Sequence, residues 1–138
     1  MTTTAAPVLG QRALNRALLA RQHLMDRARM PALDLVEHLV GMQAQAPLAP
    51  YVGLWSRLAG FSTTELAADL TGRRAVRLTL MRGTLHLVSA PDCLGLYPLV
   101  RPAVTRAVTG YHRSAMAGFD VDAALTTGRG LLAGGPLT

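Results

Sequence analysis

Apolar residues recur at helical spacing through the first half of the chain and at alternating spacing just beyond its middle. From Leu9 to Met25, Ala13, Ala17, Ala20 and Leu24 repeat beside Leu14 and Leu18, while Arg12, Arg16 and His23 fall on another face. This predicts an amphipathic helix with a basic outer side, its arginines either solvated or turned to phosphates. Pro31 suits a first helical turn, and Ala32, Leu35, Val36, Leu39 and Val40 form the apolar stripe of a second helix. Asp34 and Glu37 lie toward its start and His38 toward its end, as the helix dipole favours; His38 reads as a surface residue and Gly41 as the C′ stop. Pro50 opens a third helix with the stripe Tyr51, Leu54, Trp55, Leu58, ended by Gly60, and Tyr51 and Trp55 read as core anchors rather than base-stacking platforms. Ser62-Thr63-Thr64-Glu65 has capping-box spacing, which starts a fourth helix over Thr63–Thr71 that Gly72 ends.

The period then drops to two. Val76, Leu78 and Leu80 alternate with Arg77 and Thr79, and Leu85 and Leu87 alternate with Thr84 and His86, which predicts a hairpin over Ala75–Val88. A two-residue Arg82-Gly83 loop sets Leu80 opposite Leu85 and Leu78 opposite Leu87 on one apolar face. The other face then carries Arg77, Thr79, Met81, Thr84, His86 and Val88, with Arg82 at the tip. A three-residue loop pairs Leu80 with Thr84 and loses the match, so the shorter loop is expected. Ser89-Ala90-Pro91-Asp92 starts another helix, which Pro98 and Pro102 kink or divide; a short helix over Ala103–Thr109 and a linker over Gly110–Gly118 follow. Asp120 caps a last helix with Val121, Ala124, Leu125, Leu131 and Leu132 apolar, weakened by Gly128 and Gly130. Gly134 to Leu137 form a turn, and Thr138 reads as an N-cap.

Three or four helices followed by a two-stranded hairpin is the order of a winged-helix domain, a mainly α, α+β fold. The expected organisation is a disordered tail over 1–8, a first winged-helix domain with following helices over 9–109, a linker over 110–120, and the start of a second winged-helix unit, cut short, over 121–138. A chain of 138 residues suffices for one core. No apolar run reaches the ~18 residues of a membrane span, and the first residues carry no signal-peptide pattern, so a cytoplasmic protein is expected. The single Cys93 reads as a small core residue and excludes an internal disulfide.

The net charge is +6, and all 14 basic residues are arginine. A GC-rich genome accounts for the choice of arginine over lysine; the positive balance points to a polyanionic partner. The helix before the hairpin exposes Thr64, Glu65 and Asp69, whose two carboxylates repel phosphates. Arg73, Arg74, Arg77 and Arg82 gather around the hairpin, with Arg101, Arg106 and Arg113 beyond it. Two readings of the hairpin stand side by side: a wing that contacts DNA through these four arginines, Thr84 and His86, or a hairpin that only caps the helices; His86, opposite Thr79, reads as a polar contact, a DNA contact or a solvated residue.

Candidate chemistry lies in Gly41–Tyr51. Gly41 and Pro47 favour an extended segment, in which Gln43 and Gln45 point the same way and face one pocket. Glutamine does not titrate, so neither is a strong acid or base; taken alone, the pair also fits two surface residues of an Ala-rich loop. The runs Leu39-Val40-Gly41-Met42-Gln43-Ala44-Gln45-Ala46-Pro47, Tyr51-Val52-Gly53-Leu54-Trp55-Ser56-Arg57-Leu58 and Leu80-Met81-Arg82-Gly83-Thr84-Leu85-His86-Leu87-Val88 resemble the AlkZ/YcaQ-type winged-helix DNA glycosylases over about Val8 to Arg106. The resemblance implies a tandem array of winged helices with a C-terminal β-rich part, of which this chain holds the beginning. It places the catalytic pair on Gln43 and Gln45 and implies monofunctional hydrolysis of N7-alkylated purines and interstrand crosslinks in damaged double-stranded DNA, by a monomer without metal or cofactor. A non-catalytic winged-helix DNA-binding module, or an inactive remnant, is the alternative.

Overall fold

A computed structural model describes residues 8–114 and 116–135; the Met1–Pro7 part of the expected tail and the Thr138 cap lie outside the described residues. The chain divides into two compact units, Met1–Val104 and Thr105–Thr138. In the first, helices α1 (Gln11–Arg21) and α2 (Ala32–His38) precede a short strand β1 (Met42–Gln43), and helices α3 (Ala49–Arg57) and α4 (Thr63–Thr71) precede strands β2 (Ala75–Thr79) and β3 (Leu85–Ser89). Helix α5 (Ala90–Tyr111) contains the division between the units, and α6 (Val121–Leu132) belongs to the second. The fold is α+β, with one antiparallel sheet of order β1-β3-β2.

The core forms where the helical stripes meet the central strand. Ala32, Leu35 and Val36 of α2, Leu54 of α3, Leu66 of α4, Ala75 of β2 and Leu87 of β3 bury together with Ala44 and Leu58. Trp55 departs from its expected place: it is 58% exposed and lies under the Arg27 guanidinium, 4.6 Å from the ring centroid, while Tyr51 packs partly against the core. Helix α1 buries none of its residues, and its Leu14 and Leu18 stay exposed. Its C-terminal end is nonetheless tied down. The exposed His38 Nε2 donates to the Arg21 carbonyl at 2.8 Å, and Arg57 Nη2 donates to Gln22 Oε1 at 3.1 Å.

The start of α4 departs from a reciprocal capping box. Ser62 Oγ accepts from the Thr64 amide at 3.3 Å, but the Glu65 carboxylate accepts from the Ala32 amide at 2.7 Å and so caps α2 instead. Asp69 is buried rather than exposed, and Arg74 Nη2 and Nε approach its Oδ1 at 2.7 and 2.8 Å.

The hairpin register differs by one residue from the expected pairing. Thr79 pairs with Leu85, Leu78 with His86 and Arg77 with Leu87, and the loop is Met81-Arg82-Gly83, closed by the Leu80 amide on the Thr84 carbonyl at 3.1 Å. Arg82 and Gly83 both take positive φ, 55° and 69°, within this turn. A shift of one residue exchanges neighbours on both faces. His86 now shares a face with Leu78 and Val88 and is 6% exposed, whereas Arg77 shares a face with Leu87.

Helix α5 is also longer than the two expected pieces: Pro98 and Pro102 lie inside one continuous helix, which ends at Tyr111, past the start of the expected linker. The Ser89 hydroxyl accepts from the Asp92 amide at its start, and Cys93 within it is half-buried. In the second unit, Asp120 caps α6 as expected, accepting from the Ala123 amide at 2.9 Å. Among the described residues, no helix is long and apolar enough to cross a membrane.

Candidate nucleic-acid-processing site

The end of α2 sets the direction of the candidate segment. The Gly41 amide donates to the Val36 carbonyl and the Val40 amide to the Glu37 carbonyl, at 2.8 and 2.9 Å, a Schellman pattern. Val40, not Gly41, therefore occupies C′, at φ 58°. Gly41 follows at φ 106°, so close to β3 that a Cβ there would lie 2.7 Å from Val88 Cγ1. These two residues turn the chain onto the open edge of β3.

Met42 then pairs with Leu87 and Gln43 with His86, and the Ala44 amide donates to the Leu85 carbonyl at 2.8 Å. The segment is extended, as expected, and is held by two side chains as well. Gln45 Oε1 accepts from the Leu85 amide at 3.0 Å. Arg77 reaches from β2 across β3, donating through Nε to the Ala44 carbonyl at 2.8 Å and through Nη2 to the Gln45 carbonyl at 3.2 Å. The two glutamines thus end differently: Gln43 is exposed and lines a cavity, whereas Gln45, also exposed, is fastened to the strand and is not among the residues that line it.

The cavity has a volume of about 590 Å³ and lies where α1, α2, α3 and β1 meet. Arg21 and Gln22 contribute one wall, His38 and Gly41 another, and Gly53 and Arg57 the α3 side. Arg57 Nη1 donates to the Gly53 carbonyl at 3.0 Å and to Ser56 Oγ at 3.2 Å, while its Nε is buried without a partner among the described residues. Burial holds the guanidinium below the ordinary arginine pKa, because desolvation disfavours the charged form. Arg57 is not among the residues expected from the sequence, although its position carries a signal: three residues after Leu54 and one before Leu58, it falls on the stripe that α3 buries.

The expected DNA-contacting groups do not form one outward face. Arg73 and Arg82 are exposed, and no side-chain hydrogen bond of either is found among the described residues. Arg74 is bound to Asp69 and Arg77 to the glutamine segment, so both hold the fold together. The Thr84 hydroxyl donates back to the Met81 carbonyl at 3.2 Å. His86 is buried, with Nδ1 2.9 Å from the Thr84 carbonyl, and is no surface contact. No group of three or more His, Cys, Asp or Glu able to hold a metal ion is found among the described residues.

The family model of the AlkZ-like DNA glycosylases matches residues 36–138, which take in Gln43, Gln45, Arg57, Arg77 and the hairpin. The chain belongs to the AlkZ-like DNA glycosylase family. Among solved structures, the AlkZ-like chain is similar to the Streptomyces sahachiroi DNA glycosylase AlkZ at 28% identity and a TM-score of 0.49, over 64% of this chain and 26% of that one. The AlkZ-like chain thus spans about a quarter of the length of that protein. No curated protein matches it.

Proposed function

We propose that this chain binds damaged double-stranded DNA and hydrolyses the N-glycosidic bond of N7-alkylated purines, including those in interstrand crosslinks, as a monofunctional DNA glycosylase. The observation that carries the reading is that Gln43, within the residues matched by the glycosylase family, lines the cavity between α1, α2, α3 and β1. The order helix, strand, two helices, hairpin, with sheet order β1-β3-β2, supports a winged helix, and its place as the first unit of a tandem array is what the family resemblance implies.

In this mechanism the C1′–N9 bond breaks and its electron pair goes to the departing purine, which N7 alkylation has already made cationic and which leaves neutral. No general acid is needed. The oxocarbenium-like sugar is stabilised by the amide carbonyl dipole of Gln43 in the cavity, joined by that of Gln45 once the substrate is bound, and a water held by them bonds to C1′ and releases its proton to solvent. Gln45 Oε1 retains a second lone pair beside the one that receives the Leu85 amide. Gln43→Ala removes one preorganised dipole and is expected to lower the single-turnover rate about 10²-fold, by analogy with oxyanion-hole donors.

The assay is release of N7-methylguanine from duplex DNA, read as abasic sites. A Gln43→Ala and Gln45→Ala chain that keeps the wild-type rate would overturn the assignment. The engagement of Gln45 with Leu85 favours a second reading, a non-catalytic DNA-binding module in which the pair shapes the strand edge. Salt-dependent binding without abasic sites marks that module.

A further inference from the structure

We propose that Arg57 and Arg21 form a phosphate subsite of the cavity, taking one phosphodiester of the DNA strand next to the nucleotide presented to Gln43. The inference rests on the DNA-processing reading of that cavity and adds to it the group that holds the strand. Arg57 is a half-buried cation whose partners are all neutral: the Gly53 carbonyl, Ser56 Oγ and Gln22 Oε1. No carboxylate lines the cavity, and among the described residues the one ion pair is Arg74 with Asp69. Removing a cation from water is costly unless an anion compensates it. Arg57 Nε is a donor without a partner, buried in this conformation and brought to a ligand only when the side chain turns.

A guanidinium fork matches two phosphate oxygens, and a phosphate therefore meets both needs. A turn of the Arg57 side chain that exchanges its neutral acceptors for phosphate oxygens presents that fork. Arg21 lines the same cavity from the end of α1 and is exposed, and its side chain has no hydrogen bond among the described residues. It supplies the second cation at the rim. Gln43 on the same cavity ties the phosphate to a nucleotide under attack rather than to a separate ligand.

The test uses the whole 138-residue chain. The Arg57 Nε–Hε resonance, assigned through bonds to its own backbone, is followed during titration with sodium phosphate, with sodium chloride of equal ionic strength, and with an undamaged 12-base-pair duplex. Phosphate and duplex are expected to shift it saturably and chloride to leave it in place. Arg21→Gln, which removes no side-chain hydrogen bond of the fold, is expected to weaken the phosphate response several-fold and to make the slope of log K against log salt for duplex binding less negative by about 0.9. A resonance unmoved by phosphate overturns the subsite; one moved by phosphate but not by duplex overturns its assignment to DNA, as does an unchanged salt slope in Arg21→Gln. Saturable shifts with both, with the altered slope, support the subsite even where no abasic site forms, so its fate is separate from that of the glycosylase reading.

Discussion

Val40 holds a φ of 58°, a region that costs a β-branched residue roughly 1–2 kcal/mol. The Schellman turn demands that conformation at C′, and Gly41 satisfies a different demand, the close approach to Val88. The two positions therefore respond oppositely to substitution. Val40→Gly relieves the strain at an exposed site and is expected to raise stability by about 0.5–1 kcal/mol after the added chain entropy of glycine. Gly41→Ala brings a Cβ to 2.7 Å from Val88 Cγ1 and keeps the positive φ. It is expected to lower stability by about 2 kcal/mol or more. Denaturant unfolding of the two variants checks both signs, and a stabilised Gly41→Ala would contradict the close packing of Gly41 on Val88. At this scale the sequence is partly legible. Gly41 announces a turn, but which of two adjacent residues takes C′ depends on packing against a strand more than 40 residues away. The hydrogen bond of Gln45 Oε1 is hidden for the same reason, since its partner is the backbone of Leu85.

The elements themselves follow the apolar periodicity closely: α2, α3, α4 and α6 lie where their stripes and caps place them. The hairpin does not, because alternation alone allows two registers, and the choice falls to the turn, where Arg82 takes a left-handed conformation that its residue type does not advertise. That single slip moves His86 inside and sets Arg77 on the face from which it reaches the glutamine segment. Arg77 thereby holds the Ala44 and Gln45 carbonyls just beyond β1, and on the proposed function it acts as a positioning residue rather than a DNA contact. Its planar fork reaches two successive carbonyls, a geometry that a lysine ammonium does not reproduce. Arg77→Lys is expected to lower the base-release rate about tenfold, by misplacing Gln43 and Gln45, as small displacements of positioned groups do. Duplex affinity, measured by fluorescence anisotropy, is expected to stay within about twofold, since the positive charge is kept. An equal loss of rate and affinity would return Arg77 to the DNA-contacting set.

Across the molecule, the net charge of +6 suits a polyanionic partner, and the structure divides its contributors by the bonds they already make. Arg73 and Arg82 stand exposed at the two ends of the hairpin region, without side-chain hydrogen bonds among the described residues. Arg74 sits next to Arg73 in sequence, yet it neutralises Asp69, whose side chain is 8% exposed. Composition cannot separate these neighbours; burial of the partner carboxylate does. Arg82→Gln and Arg73→Gln are each expected to make the slope of log K against log salt less negative by about 0.9 for each phosphate the arginine no longer neutralises, with unfolding midpoints unchanged. Arg74→Gln is expected to lower stability by about 1–2 kcal/mol, because it leaves a buried carboxylate without its charged partner. Its folded fraction is expected to bind duplex with the wild-type slope. Anisotropy titrations across a salt series, paired with thermal unfolding of the same samples, measure both quantities. A shallower slope for Arg74→Gln together with an unchanged midpoint would place Arg74 on the DNA and leave Asp69 to be stabilised by something other than the ion pair.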